Sequence, residues 1–225
     1  MATRQVLGEL ARDWEQRAGA KVQIESVGGV DAARRVAAGE AFDFVILAAD
    51  ALDKLLAAGH AVAGTRVDIV DSGVAIAVKA DAPRPDIADE ASLKRAVLAA
   101  ASIGYSTGPS GTALLKLFER WGIAQELQGC LVQAPPGVPV GSLVARGDVA
   151  LGFQQLSELV HLEGIAIVPM PAAVQITTTF SGAVCATSTQ AGTVRELLAF
   201  MASPEAAQAK RRNGMEPAAS LQEKE

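Results

Sequence analysis

A turn of small polar residues between a short strand and a helix is the stretch of this sequence best suited to bind a ligand. Ile103–Tyr105 is apolar and of strand length, and residues 106–111 read STGPSG. The apolar residues that follow recur at helical spacing: Leu114, Leu117, Phe118 and Trp121. Pro109 suits the first turn of that helix, where no amide hydrogen is needed. The pattern predicts a strand, a tight turn and an amphipathic helix.

The chemistry of this turn favours an anion. Glycine lets a ligand approach the backbone closely, and amide hydrogens at the positive end of a helix dipole bind negative charge. The loop contains no Lys or Arg, so neutral donors would hold the anion. We therefore predict that Thr107, Ser110 and Gly111 contact a ligand. An ordinary strand-to-helix turn with a serine cap is the alternative.

Acidic residues near predicted strand ends are the candidates for acid–base catalysis. They are Asp31, Asp50, Asp148 and Glu158. Each is also explained by the preference of acids for the first turn of a helix, so no catalytic residue is assigned. No arrangement of Ser, His and Cys resembles a nucleophilic triad.

Composition excludes several classes of protein. The chain has 225 residues, half of them hydrophobic, and a formal net charge of −5. A nucleic-acid surface would need clustered Lys and Arg, and the one basic run is residues 210–212, at a predicted helix end. No apolar run reaches the length of a membrane span, and no secretory signal is evident. Cys130 and Cys185 lack metal-ligand spacing, which favours free thiols. No cofactor and no metal site is predicted.

The first part of the chain alternates helices and strands. Helices are predicted for residues 3–18, 31–38 and 50–58, and strands for Lys21–Glu25 and Phe42–Ala48. The second of these strands is a continuous apolar run, which is typical of a buried parallel strand. This alternation indicates a parallel sheet covered by helices on both faces.

A second unit of the same kind follows, framed by two long strand-like runs. These runs are Val67–Lys79 and Gln175–Thr187. Between them, Ser92 is expected to cap a helix, helices are predicted for residues 138–145 and 156–162, and strands for residues 131–133, 149–153 and 165–170. Two framing strands suggest a two-stranded hinge. We predict an α/β protein with mostly parallel sheets and two lobes: residues 1–79 with 177–225, and residues 80–176.

The order of several segments resembles a known family. GYSTGPSG at the start of a helix, PPGVPVGSLVARGDVALGFQQ, and FMASPEAAQAKRRNGMEP look like a periplasmic solute-binding protein of ABC transporters, in its molybdate-binding group. The resemblance covers nearly the whole chain. It implies a two-lobe periplasmic-binding-protein-like fold that clamps an oxyanion such as molybdate or tungstate between the lobes. It also implies a periplasmic location and a membrane permease as partner.

The resemblance also implies which residues contact the ligand. Ser110 and Val138 lie at contact positions of the family, and Gln155 stands where molybdate binders usually have a Tyr. Gly28 or Gly29 stands where those proteins usually have a Ser. Gly offers only an amide hydrogen, whereas Gln adds both a donor and an acceptor. These departures would suit a larger or less symmetrical ligand, such as an organic carboxylate.

A further departure concerns the start of the sequence. The family begins with a strand and a Ser-bearing loop, whereas this sequence begins at the helix that follows them. Loss of that strand would leave unpaired backbone groups on its neighbours, KVQIE and FVILA. Strand exchange between chains is one expected consequence.

Two other functions remain open. The molybdate-binding group resembles certain isomerases of unsaturated tricarboxylates such as aconitate, so an enzyme is one alternative. A ligand-sensing module is another, although such modules are usually fused to a DNA-binding domain and none is evident here.

Overall fold

The computed structural model describes residues 2–219. The chain begins with helices α1 (Arg4–Ala18) and α2 (Gly29–Ala37), strand β1 (Phe44–Ala48), helix α3 (Ala49–Ala57) and strand β2 (Val67–Lys79). Its middle part contains α4 (Glu90–Ala99), β3 (Ile103–Tyr105), α5 (Pro109–Arg120), β4 (Leu131–Gln133), α6 (Val140–Arg146), β5 (Leu151–Gln155), α7 (Leu156–Leu159) and β6 (Ile165–Pro169). The last part contains a 3-10 turn (Ala172–Val174), β7 (Thr177–Val184), α8 (Ala191–Ala202), a 3-10 turn (Pro204–Ala206), α9 (Ala207–Arg212) and β8 (Glu216–Pro217).

The chain forms two compact units. Unit 1 contains the residues up to Ser72 and those from Thr178 onward, and unit 2 is Gly73–Thr177. The long strand β2 therefore contributes its first part to unit 1 and its second part to unit 2. Each unit combines helices with strands, which is the α/β character that the sequence pattern indicates.

Unit 1 is a sheet with helices packed on its two faces. β1 pairs antiparallel with β7, so that Phe44 lies opposite Val184, and β7 is followed by β2 and then β8. The apolar run in β1 predicts a parallel strand, and its antiparallel pairing with β7 differs from that prediction. The prediction of a parallel strand relied on burial of both sides of β1. Both sides are covered by separate apolar clusters in this antiparallel strand as well, so burial alone does not reveal the strand direction.

Unit 2 contains the parallel pairing. β3 lies between β4 and β5 and is parallel to both, with Ile103 opposite Leu131 on one side and Leu151 on the other. The second part of β2 is antiparallel to β5 and to β6. Side chains alternate along β2: Val74, Ile76 and Val78 join the cluster under α4 and α5, whereas Ala75 and Ala77 join the cluster under α6.

The predicted strand Lys21–Glu25 is wrong. These residues form no strand in the structure, although Val22 and Ile24 pack on the core while Lys21, Gln23 and Glu25 are exposed. The amide of Val22 donates to the Glu15 carboxylate at 2.7 Å rather than to a neighbouring strand. The alternation of buried and exposed side chains is therefore present, although no described strand pairs with this segment.

The helix caps also differ from the sequence prediction at one point. Asp89, and not Ser92, is the N-cap of α4. Asp89 accepts the amide hydrogen of Ser92 at 2.7 Å, and the Ser92 hydroxyl oxygen accepts the amide hydrogen of Asp89 at 3.0 Å. Ser92 is therefore the third helical residue of a capping box.

Both cysteines are free thiols, as their spacing in the sequence favours. Cys185 is buried, and this burial, together with the nearby Asp43 carboxylate, raises the pKa of its thiol to about 11. The thiol is therefore protonated at neutral pH.

Unit 1 contains a lysine whose side chain is buried in the interior. Lys210 in α9 is fully buried, and its Nζ has no hydrogen-bond partner among the described residues. Burial lowers the pKa of this ammonium group to about 8, because an apolar environment disfavours the charged form.

Gly111 allows the close approach between the start of α5 and the turn before it. A Cβ atom at this position would lie 1.8 Å from the carbonyl oxygen of Ser106, which no side chain can tolerate. We predict that Gly111→Ala lowers the free energy of unfolding by at least about 2 kcal/mol, since the backbone itself must move. Urea titration measures the difference. Gly129→Ala is the control, because a methyl group at that position would meet no atom within 4 Å, and equal stability of the two variants would contradict the prediction.

Lys210→Met should stabilise the protein in a pH-dependent way. Between pH 8 and the ordinary lysine pKa near 10.5, the unfolded chain keeps the proton that the folded chain has lost, so wild-type stability rises with pH in this window. Below pH 8 the buried charge costs about 3 kcal/mol, which the methionine removes. We expect the variant to gain about that much at pH 7 and progressively less towards pH 10. Urea unfolding at several pH values tests this, and a gain that is independent of pH would contradict it.

Candidate functional site

The carboxyl edge of the parallel strands in unit 2 gathers most of the predicted ligand-binding residues. Because β3, β4 and β5 run in the same direction, their carboxyl ends lie at one edge, where ligands of open α/β sheets bind. The chain leaves this edge three times: from β3 to α5, from β4 to α6, and from β5 to α7. We call this place the carboxyl edge.

The loop from β3 to α5 is held by its own hydroxyl groups. The Oγ atoms of Ser106 and Ser110 lie 3.1 Å apart, and the amide of Gly108 donates to Ser106 Oγ at 3.3 Å. Ser110 is buried, whereas Thr107 is exposed. The loop thus presents buried and exposed hydroxyls at the start of a twelve-residue helix.

The serine cap that the alternative interpretation expects is not present. Gly108 is the N-cap of α5 and makes no side-chain cap bond, while its carbonyl oxygen accepts the amides of Gly111 and Thr112. Pro109 occupies the first turn, as predicted.

The loop from β4 to α6 brings Val138 to the same edge, but before the helix. α6 begins at Val140, and the amide of Val138 already donates to the carbonyl oxygen of Pro135 at 3.0 Å. The predicted start of this helix at residue 138 is therefore two residues early, because the double proline and Gly137 form a turn first.

Two adjacent glutamines end β5, and both are buried. The sequence pattern predicts that the strand ends before Gln154 and Gln155, whereas β5 includes both. Since side chains alternate, Gln155 follows Phe153 on the α5 side of the sheet and Gln154 follows Gly152 on the α6 side. Gln154 Oε1 accepts the amide hydrogen of Gly141 in α6 at 3.2 Å, and this bond was not predicted.

Glu158 lies in the first turn of α7 and is half-buried. Burial raises the pKa of its carboxyl group, because an apolar environment disfavours the charged form. Glu158 is therefore the most buried of the four candidate acids at the predicted strand ends.

The other candidate acids have structural partners. Asp50 accepts the amide hydrogen of Ala51 at 2.9 Å in the first turn of α3. Asp31 pairs with Arg34 at 3.2 Å and Asp148 with Arg146 at 2.9 Å, both on the surface. These contacts fit a structural role for all three acids.

Gly28 and Gly29 belong to unit 1, where Gly28 is the N-cap of α2 and Gly29 its first residue. Both are exposed, and a Cβ on either would come no closer than 3.9 Å to an atom beyond its own chain neighbours and helix backbone. Their assignment to the ligand site stays a prediction, as does that of Thr107, Ser110, Gly111, Val138 and Gln155.

Residues 2–219 contain neither a cluster of metal-ligating side chains nor a long apolar helix. No group of three or more His, Cys, Asp or Glu side chains in this range is arranged to hold a metal ion. Within the same residues, no helix has the length and apolar character needed to cross a membrane.

Comparison with known proteins identifies relatives that match nearly the whole chain. The model of the family described as bacterial extracellular solute-binding proteins matches residues 1–216. An aconitate isomerase from a Pseudomonas species is 38% identical over 216 residues, which cover 93% of this chain and 82% of that protein.

Solved structures show the same fold at lower identity. The periplasmic molybdate-binding protein of Azotobacter vinelandii superposes with a TM-score of 0.76 at 20% identity, covering 95% of both chains. The tungstate ABC transporter of Geobacter sulfurreducens gives 0.74 at 19% identity, covering 93% of this chain and 94% of that one. The predicted two-lobe periplasmic-binding-protein-like fold and the resemblance to solute-binding proteins are thereby confirmed. This chain belongs to the family of bacterial extracellular solute-binding proteins.

Proposed function

We propose that this protein binds a small organic polycarboxylate of the aconitate type at the carboxyl edge of unit 2. The observation that carries the proposal is the buried Gln155, which ends β5 on the α5 side of the sheet, together with the buried Ser110 at the start of α5. Amide and hydroxyl groups are neutral donors, and at a helix start they can hold carboxylates without a basic side chain. The 38% identity to an aconitate isomerase supports the choice of ligand class.

The same donors leave a tetrahedral oxyanion as the second candidate. Molybdate or tungstate would also be held by hydroxyls and amides without counter-charges, which the uncharged loop from residue 106 to residue 111 supplies. Against this ligand stand Gln155 and Gly28 or Gly29, in place of the Tyr and Ser that the resemblance implies. An asymmetric carboxylate is better suited to an amide, which offers both a donor and an acceptor.

We also propose the cellular setting that goes with the family. The protein would lie in the periplasm and deliver its ligand to the membrane permease of an ABC transporter. Strand exchange between chains stays a prediction.

Isothermal titration calorimetry with a panel of anions tests the ligand class. We expect trans-aconitate to give saturable heat with a Kd of about 1–100 µM, and molybdate, tungstate and sulfate to give none. Citrate and tricarballylate, which lack the double bond, report how strictly the planar alkene is recognised. Saturable heat from molybdate and tungstate alone would favour the oxyanion instead, and no heat from any of these anions would reject the anion site.

Ser110→Ala should weaken binding, because it removes a buried hydroxyl at the start of α5. A hydrogen bond to a charged group is worth about 1.5–3 kcal/mol, so the Kd for trans-aconitate should rise at least about tenfold. Thr112→Ala is the matched control, since Thr112 is exposed on the same helix. If the two variants bind with equal affinity, Ser110 is not a ligand contact.

A further inference from the structure

We propose that unit 2 contains a second binding site, which takes a carboxylate with an apolar chain, such as the anion of a medium-chain fatty acid. The site is an open cavity of about 370 Å³ between α5 and the chain segment that precedes β7. One wall is formed by residues of α5 and the other by residues 173–176, and we call this place the α5 cavity. None of these residues belongs to the candidate site at the carboxyl edge, so the inference does not depend on the proposed function.

The α5 wall is a single stripe of the helix. Its residues recur at i, i+3, i+4 and i+7 and therefore share one side of α5: Ala113, Lys116, Leu117 and Arg120. Leu117 is buried in the apolar cluster under α4 and α5, together with Val174 from the other wall, so the base of the cavity is apolar. The short side chains of Ala113 and Ala173, one on each wall, leave the space between them open.

Two cations stand beside this apolar base. Lys116 and Arg120 lie one helical turn apart and are both exposed. Among the described residues, no carboxylate pairs with Lys116, and Glu90 approaches Arg120 only to 3.5 Å. The same Glu90 oxygen accepts the indole N–H of Trp121 at 2.6 Å, so most donors of the Arg120 guanidinium group stay open to a ligand. No acidic side chain is among the described residues that line the cavity, and its charge therefore favours an anion.

Contacts within unit 2 hold the second wall in place. The amide of Val74 in β2 donates to the carbonyl oxygen of Ile176 at 2.9 Å. The Gln175 side chain lies against Gly73, where an added Cβ atom would be 3.0 Å from Gln175 Nε2. A cavity whose walls are already in place loses little conformational freedom when a ligand binds.

An apolar base beside two cations selects a ligand that has both characters. Small-molecule sites are mostly apolar and contain a few polar groups that fix the orientation of the ligand, and the α5 cavity has this composition. The apolar chain would contact Leu117, Val174 and Ile176, while the carboxylate would accept hydrogen bonds from Lys116 and Arg120. Trans-aconitate has no apolar chain, so the α5 cavity and the carboxyl edge would take different ligands.

Isothermal titration calorimetry with octanoate, with and without excess trans-aconitate, tests the proposal. We expect one site with a Kd of about 0.1–1 mM under both conditions, because the two sites share no residue. Butyrate, which has a shorter chain, and 1-octanol, which has no charge, should each bind at least about tenfold more weakly.

Two kinds of variant separate the cavity from the rest of the surface. The double variant Lys116→Gln/Arg120→Gln should raise the Kd for octanoate at least about tenfold. Lys54→Gln is the matched control and should bind as wild type, because Lys54 is an exposed lysine of α3 in unit 1. Ala113→Phe should also raise the Kd at least about tenfold, since its ring occupies the space that the apolar chain needs. Ala173→Phe does the same from an exposed position if Ala113→Phe does not fold by circular dichroism.

Octanoate that gives no saturable heat overturns the proposal. Equal affinity for butyrate would show a cationic patch alone, and equal affinity for 1-octanol an apolar patch alone, so either result overturns it. Competition between octanoate and trans-aconitate also overturns it and leaves the proposed function intact, because octanoate would then occupy the carboxyl edge. Unchanged octanoate binding in the double variant, or in a folded Phe variant, rejects the α5 cavity as the site.

Discussion

Parallel pairing of three short strands is the constraint on which unit 2 depends. β3 and β4 have three residues each. The few backbone hydrogen bonds between such short strands cannot hold a sheet together unless helices pack on both of its faces. The two apolar clusters of unit 2 provide that packing, one on the side of α4 and α5 and the other on the side of α6. Once the strands are parallel, three loops must emerge at one edge, and the polar residues of those loops are brought together.

Satisfying a buried amide is the second constraint, and it connects stability with function. A buried polar group that loses its partner costs about 1–3 kcal/mol, so Gln154 must be bonded on both its oxygen and its nitrogen. The structure satisfies the Gln154 oxygen with the Gly141 amide, which donates to it at 3.2 Å. The bond that makes Gln154 tolerable in the interior therefore also joins the end of β5 to the first turn of α6 at the carboxyl edge.

Much of the architecture could be predicted from the sequence because the hydrophobic patterns are strong. The bounds of β2 and β3 agree with the predicted runs, and Pro109 marks the start of α5. The strand prediction for Lys21–Glu25 failed because alternation reports which side is buried but not whether a neighbouring strand exists. Ser92 was misassigned because Asp89, three residues earlier, competes for the same cap.

The candidate site was predictable only in part. The loop around Ser110 carries a local signal of glycine, proline and hydroxyl residues, so spacing alone singles it out. The bond between Gly141 and Gln154 joins residues thirteen apart on different elements, and only the packing of α6 on β5 brings them into contact. Glu158 is one of four similar acids in the sequence, and what separates it from the others is burial, which one sequence does not reveal.

Binding of the ligand through neutral donors at the carboxyl edge of unit 2 is the central claim. Amide-resolved NMR during a titration with trans-aconitate tests this claim most directly, because each backbone N–H reports its own surroundings. We expect saturable shifts of the Ser110, Gly111 and Gln155 amides with one common Kd. Shifts confined to the basic surface of α5 around Lys116 and Arg120, with those three amides unmoved, would contradict the claim.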